Sequence, residues 1–417
     1  MIQSKYIREN MIYKSPFATN KINEEIINSL KTKGVIVFGT GNFGSLVNTA
    51  LMSYGIKINH FIDNNLNHWG KDFEGIKILS AKEVADKYAQ EHILIASLNF
   101  KYIKRQLKDL NIKNVFDVDF LFENFDLSKS KTKWSIERCK VQLDLYNYSI
   151  SSFRDKDFLK VNSIDLVLTE KCSLKCKDCS NLMQYYEKPI DNDLDVILKS
   201  FDNFIQSVDY CYEVRMIGGE PLIYKNIDKV LEKVLSYRNV GNIVIYTNGT
   251  IVPKGDKIKV FKNDKVYFRI SDYGAASRNV SKLEIALKEN SIHYITERVT
   301  TWQDCAVIKK FDRTESLTKE IFGNCCVNET LTLLHGKLYL CPYSAHIENL
   351  KVFNPKEKES IDLHNISSNS ELKSEIRKLY FDKEYLQACT FCNGRDHNVA
   401  SIEAAIQTKE PLAYQKF

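Results

Sequence analysis

Cys172, Cys176 and Cys179 put three thiols on one short loop, Thr169-Glu-Lys-Cys172-Ser-Leu-Lys-Cys176-Lys-Asp-Cys179. Thiols spaced this closely converge on a single metal centre, and iron–sulfur cubes are ordinarily held by four cysteines. A loop with three leaves one iron open to another ligand. Lys171, Lys175 and Lys177 add positive charge, which is expected to favour the thiolate forms. Structural zinc is the competing use, but zinc takes a fourth protein ligand and the loop offers none nearby. A second set follows: Cys326, nine residues, Gly336, four residues and Cys341, then Cys389-Thr-Phe-Cys392. Gly336 fits a hairpin turn that brings its flanking cysteines together. Cys325 fits the pattern as well as Cys326, and four such thiols suit an iron–sulfur cluster or a tetrahedral zinc.

Both cysteine sets must be held by a scaffold, and the chain predicts an α/β one. Strands at 35–38, 58–62, 93–96 and 115–118 alternate with helices, which implies a parallel sheet covered on both faces. This first domain is placed at 1–125, with a charged linker at 126–160. A second alternating series has strands at 164–169, 212–217, 242–247, 265–271 and 293–297, and helices near 193–208, 225–238 and 278–290. Repeated strand–helix units of this kind build a full or partial barrel with chemistry at the C-terminal strand ends. The barrel is placed at 161–300 and the second cysteine region at 301–417.

The C-x3-C-x2-C loop after the first barrel strand resembles the radical S-adenosylmethionine (SAM) superfamily. Gly218-Gly219-Glu220-Pro221 after the second strand is similar to that family's GGEP motif, whose backbone engages the SAM amino group. Thr247 and Asn248 after the third strand, and Ser271 and Asp272 after the fourth, stand where the family places further SAM contacts. Where the family commonly has an aromatic residue before the third cysteine, this chain has Asp178. The resemblance covers about 163–300 and implies a (β/α)6 TIM-like partial barrel, a 4Fe–4S cluster and SAM. It also implies an external electron donor of flavodoxin or ferredoxin type and a 5′-deoxyadenosyl radical that abstracts hydrogen from carbon. The second cysteine set resembles the twitch half of SPASM/twitch members, with an auxiliary 4Fe–4S cluster on Cys326 (or Cys325), Cys341, Cys389 and Cys392. No cysteine follows Cys392, so the shorter twitch form fits better than SPASM. Cys305 is placed by the resemblance as a hydrogen donor to a substrate radical, while Cys139 and Cys211 read as small buried apolar groups. His335, His346 and His397 read as solvated or hydrogen-bonded, and Arg395 and Asp396 as candidates for substrate contact.

In the first domain, Gly39-x-Gly41-x-x-Gly44 lies between a strand and a helix, and Asp63 ends the next strand. That arrangement lets phosphate approach a helix N-terminus and an acid reach a ribose. Phe61-Ile-Asp63-Asn-Asn, Trp69-Gly70-Lys71 and Gly75-Ile76-Lys77-Ile78 resemble small Rossmann-like domains of bacterial sugar-modifying proteins, which implies a nucleotide-linked sugar as ligand. A degenerate docking domain is the alternative.

The net charge of +6 forms no basic block, which argues against nucleic acid as a partner. No signal peptide or membrane-length apolar run is present, so the chain is expected in the cytoplasm, unattached to membrane. There its 11 cysteines point to metal binding or catalysis rather than disulfides. The expected function is radical dehydrogenation, epimerisation or dehydration of a carbohydrate or nucleotide-sugar in polysaccharide or glycoside biosynthesis. The alternatives are a SPASM-like peptide maturase and a non-catalytic metal-binding protein that recognises nucleotide-sugars.

Overall fold

Val35 to Phe38 are four consecutive apolar residues, each at most 2% exposed, which is the pattern of a strand covered on both faces. The computed structural model describes residues 12–16, 24–355, 359–396 and 398–417, and His397 lies outside the described residues. The chain divides into two compact units, Met1–Asp157 and Phe158–Phe417.

The described part of the first unit runs α1 (Glu24–Lys33), β1 (Val35–Phe38), α2 (Asn42–Ser53), β2 (His60–Ile62), β3 (Asp72–Phe73), β4 (Ile76–Leu79), α3 (Ala81–Lys87), β5 (His92–Ile95), α4 (Phe100–Asp109), β6 (Val115–Asp117) and α5 (Ile136–Arg154). Its sheet has the order β3-β4-β2-β1-β5-β6, parallel except for the β3–β4 hairpin. The stretch expected as a linker, 126–160, instead carries the 19-residue helix α5. Cys139, Leu143, Tyr146 and Ile150 recur at helical spacing and join the core of this unit. Tyr146 donates to the Ile95 carbonyl at 3.1 Å and accepts from Val118 N–H at 3.2 Å, tying the helix to the ends of two strands. Its apolar stripe is broken by buried Gln142, Asn147 and Ser152, so the sequence reads as charged and irregular.

The second unit opens with β7 (Lys160–Thr169), α6 (Leu194–Gln206), β8 (Tyr210–Gly218), α7 (Ile227–Leu235), β9 (Val240–Thr247), β10 (Val266–Asp272), α8 (Val280–Glu289) and β11 (His293–Arg298). These five strands pair in parallel and in sequence order. Ile164, Leu166, Met216, Ile243, Ile245, Phe268 and Ile270 alternate onto one face and are fully buried. The opposite face carries Asp165, Arg215, Tyr246, Arg269 and Glu297 in register. One face is therefore apolar packing and the other is polar.

Beyond β11 follow β12 (Thr301–Gln303), α9 (Glu315–Asn324), β13 (Thr330–Leu334), β14 (Lys337–Tyr339), α10 (Pro342–Asn349), β15 (Ser360–Asp362), α11 (Asn369–Arg377) and β16 (Ser401–Glu403). The region expected as a separate domain at 301–417 shares its sheet with the barrel strands. β13 pairs in parallel with the free edge of β7, and the full order is β11-β10-β9-β8-β7-β13-β14-β15, an open sheet. An uncovered β7 edge would expose a row of unpaired backbone groups, and β13 covers it. The expected hairpin is present: His335 and Gly336 turn at φ 47° and 80° between β13 and β14. No described helix is long and apolar enough to cross a membrane.

Candidate active site

Thr169 ends β7, and the cysteine loop leaves from it at the C-terminal edge of the sheet. Burial pushes the Cys172 and Cys176 thiols up to about 12, and the neighbouring cysteines push in the same direction. Burial also raises Cys179, against N–H groups of Asn181 and Met183. The lysines expected to favour thiolates are engaged elsewhere. Lys171 Nζ pairs with Asp191 at 2.8 Å and Lys175 Nζ donates to the Lys409 carbonyl at 3.1 Å, while Lys177 is exposed. Burial outweighs those surface charges. A metal cation is what such thiolates require.

Gly218 and Gly219 end β8 against this loop. A Cβ on Gly219 would stand 2.2 Å from the Lys171 carbonyl oxygen and 2.9 Å from Cys172 Cβ. Gly218 has φ 149°, and a Cβ there would meet the Thr169 carbonyl oxygen at 2.2 Å. Gly219 N–H donates to Thr169 at 2.8 Å and Glu220 N–H to Lys171 at 2.9 Å, so the motif is laced to the loop through backbone. The Glu220 carboxylate is fully buried and accepts from Thr247 Oγ1 and Asn248 N–H, both at 2.9 Å. Asn248 in turn reaches Ser173 Oγ at 3.1 Å and Cys172 Sγ at 3.5 Å. Pro221 follows, buried, at the head of a single 3-10 turn. Ser271 accepts at its carbonyl from Ser277 Oγ at 3.2 Å, and Asp272 is paired with Arg298 at 3.0 Å.

Burial raises Glu220 to about 7, with its three hydrogen-bond donors acting in the opposite direction. A carboxyl whose folded pKa exceeds its unfolded one contributes stability that is complete below pH 4.5 and lost as pH rises through about 7. The metal-free chain is expected to melt progressively lower across that window, and Glu220→Gln to flatten this part of the profile. An identical slope in the variant, followed by circular dichroism, would remove Glu220 as the cause.

Cys305, Cys325, Cys341, Cys389, Cys392 and Arg395 line a recess of about 500 Å³, counting its open mouth. Cys341 heads α10 and accepts from Ser344 N–H at 3.3 Å, and Cys392 Sγ accepts from Gly394 N–H at 3.2 Å. Cys325 is buried in the recess, whereas Cys326 is exposed outside its lining. The primary expectation at this position therefore moves from Cys326 to its neighbour, because the turn after α9 points Cys325 inward. Among the described residues no three His, Cys, Asp or Glu side chains form a single-ion cage. Cys139 and Cys211 are buried apolar groups as expected. His335 is bonded to Glu170 at 3.0 Å and His346 to Tyr186 at 2.9 Å.

Residues 166–274 match the Radical SAM superfamily. That stretch is similar to a radical SAM domain and makes up about a quarter of the chain. Residues 31–115 match the family described as C2185-like, N-terminal. Among curated relatives, the GTP 3′,8-cyclase of Helicobacter pylori (strain ATCC 700392 / 26695) is 24% identical over 147 residues, 31% of this chain and 44% of that protein. The GTP 3′,8-cyclase of Clostridium perfringens (strain 13 / Type A) is 28% identical over 148 residues, 34% of this chain and 40% of that protein. The chain thus spans less than half the length of the curated relatives it matches. Similar solved structures include BtrN in complex with AdoMet and 2-DOIA, with TM-score 0.37, 17% identity, and coverage of 61% of this chain and 98% of that one. Native anSMEcpe with bound AdoMet has TM-score 0.38 and 13% identity, covering 56% and 88%.

Radical SAM domains use a 4Fe–4S cluster and SAM, and the residues present fit both. Three thiols on one loop, Cys176 buried and Cys172 and Cys179 half-buried, would supply cluster ligands, and the glycine pair leaves backbone open at the place a Cβ would fill. One feature escaped sequence reading. Tyr273, two residues after Ser271, lies near enough to feel all three cysteines and packs edge-on against Trp302 at 5.4 Å. Burial pushes its hydroxyl up to about 12. An aromatic pair therefore stands at the loop although Asp178 is not aromatic; only the sheet register brings it there. Arg395, half-buried, lines the same recess as Cys305, and Asp396 accepts from Asn398 N–H at 2.6 Å.

In the first unit, a Cβ on Gly39 would meet the Ala96 carbonyl at 2.6 Å and one on Gly44 the Gly39 carbonyl at 2.0 Å. These two glycines serve close helix–strand packing, while Gly41 faces open space. Asp63, expected to reach a ribose, is engaged by Thr40, by Asn65 N–H at 2.8 Å and by His68 at 3.5 Å.

Proposed function

We propose that the chain is an enzyme that cleaves SAM reductively at the Cys172, Cys176 and Cys179 site and abstracts hydrogen from a small carbohydrate-type substrate. The observation that carries the substrate class is the polar face of the sheet. Arg215 pairs with Asp165 at 2.5 Å, and Arg269 with Glu297 at 2.8 Å. The Tyr246 ring lies between the two guanidinium groups, 5.8 and 5.7 Å from its centroid. Paired donors and acceptors of balanced charge, with an aromatic face among them, suit a substrate rich in hydroxyl groups.

When bound, the cluster and SAM supply a 5′-deoxyadenosyl radical. The protein's share is orientation and exclusion of water. Cys172, Cys176 and Cys179 hold the cluster, and the Gly218 to Pro221 backbone, Thr247 and Asn248 border the methionine end of SAM. Ser271 at the end of β10, with Tyr273 and Trp302 beside the cysteine loop, would supply further contacts to SAM. Cys325, Cys341, Cys389 and Cys392 hold an auxiliary 4Fe–4S cluster suited to accepting a second electron, with Cys305 as hydrogen donor beside it. Asp272 is spoken for by Arg298 and is a support for the strand end rather than a contact. In the first unit, open Gly41 at the start of α2 suits the phosphates of a nucleotide-sugar.

Anaerobic incubation with SAM and a one-electron reductant is expected to release 5′-deoxyadenosine; zinc in place of iron and no product would sink the reading. Cys325→Ser is expected to remove roughly four irons per chain and Cys326→Ser none, by iron and sulfide assay. Equal losses in both would undo the assignment of Cys325. A thermal-shift panel of nucleotide-sugars tests the first unit, and GTP belongs in it because the curated relatives are named for that nucleotide. No shift with any of them would remove the nucleotide-sugar proposal.

A further inference from the structure

Residues 405–409 run antiparallel to the cysteine loop and close over its outer side. Lys177 N–H donates to the Ile406 carbonyl and Thr408 N–H to the Lys175 carbonyl, both at 2.7 Å, with Cys176 and Gln407 as bridge partners between them. The Gln407 side chain folds back onto the loop. Its Oε1 accepts from Lys175 N–H at 2.8 Å, and its Nε2 lies 2.7 Å from the Ala405 carbonyl and 3.2 Å from Cys176 Sγ. These partners fix which way the amide points: a backbone N–H demands the oxygen, and a backbone carbonyl demands the nitrogen. The nitrogen has two N–H groups, so one goes to Ala405 and the other to the sulfur. Gln407 is itself exposed while Cys176 beneath it is 8% exposed, so the amide stands between that sulfur and solvent.

We propose that Gln407 is a positioning residue for the cluster on Cys172, Cys176 and Cys179, raising its reduction potential and slowing its loss of iron. This rests on the proposal that those cysteines hold the cluster. Reduction adds negative charge that spreads onto the sulfurs, and an N–H aimed at a sulfur stabilises the reduced form more than the oxidised one. Hydrogen bonds to sulfur are among the factors that set iron–sulfur potentials. A higher potential lets a donor of less negative potential load the cluster with its electron. The strap also keeps chelators and oxygen from the Cys176 side.

The test is a reductive titration of the reconstituted full chain by electron paramagnetic resonance, following the part of the reduced signal that changes when SAM is added. Gln407→Met keeps the volume and removes the donor. At a fixed poise near the wild-type midpoint, its reduced-to-oxidised ratio is expected to fall about threefold to tenfold, tenfold being 59 mV for one electron. Iron loss to a chelator is expected to quicken. If that variant does not load iron, Gln407→Glu keeps the acceptor for Lys175 and so the strap; it must also titrate lower. A SAM-sensitive signal whose midpoint is unchanged in the variant overturns the inference and leaves the proposed function standing. No SAM-sensitive signal in the wild type overturns the reading beneath it.

Discussion

Cys176→Ala is expected to abolish 5′-deoxyadenosine release, lowering it about 1,000-fold or more, and to remove roughly four irons per chain. Altering even the outer partners of a metal ligand typically costs about 10–100-fold, so losing a ligand itself should cost more. The loop leaves no substitute. Cys172 and Cys179 remain, but two thiols of the loop are one too few, and Cys325, Cys341, Cys389 and Cys392 gather around their own recess. The backbone of the loop is held independently by Ile406 and Thr408, so the variant should keep its fold and melt near the wild type once metal is removed from both. Product by anaerobic chromatography and iron by colorimetric assay are read on the same sample. Full iron with retained turnover would mean that the triplet is not the catalytic centre.

Gly219→Ala carries the second largest expected effect, and its cause is different. The added methyl group would stand 2.2 Å from the Lys171 carbonyl oxygen and 2.9 Å from Cys172 Cβ, contacts that must be relieved by moving backbone. Neither neighbour is the end of a flexible side chain. Forced displacement of this kind costs about 1–3 kcal/mol. The movement falls on the bonds from Gly219 N–H to Thr169 and from Glu220 N–H to Lys171, which set the GGEP segment against the cysteine loop. SAM affinity is expected to drop about 10–100-fold, a loss of the size seen when the supporting shell of a metal site is disturbed. The strand beneath, β7, is almost wholly buried and should fold unchanged. Equilibrium binding of SAM to the reconstituted variant measures this. Wild-type affinity would mean that the close approach of these two segments is incidental to SAM binding.

Much of the scaffold was readable because strand and helix periods were clean. The parallel strands of the barrel were placed within a few residues, since alternating apolar residues such as Ile164, Leu166 and Leu168 announce a face that must be buried. Helix α5 was missed because buried polar groups interrupt its stripe, among them Asn147, which donates to Tyr13 Oη far along the chain. The apparent boundary near residue 300 dissolved for the same reason: β13 completes the edge of β7, a pairing across more than 150 residues that no local pattern announces.

Local spacing marked the thiol sites and carried the resemblance to the radical SAM superfamily: three cysteines four and three residues apart, a glycine pair with a glutamate after the next strand, and a second thiol set around a hairpin. Those signals are local, and local geometry suffices to bring a loop's own thiols together. Tertiary structure alone decided which of Cys325 and Cys326 faces inward, that the loop lysines are turned away, that Tyr273 and Trp302 stand beside the cysteines, and that Gln407 reaches Cys176. Each of these depends on the direction of a side chain relative to a segment distant in sequence. Direction is set by packing and sheet register, which composition and spacing do not encode.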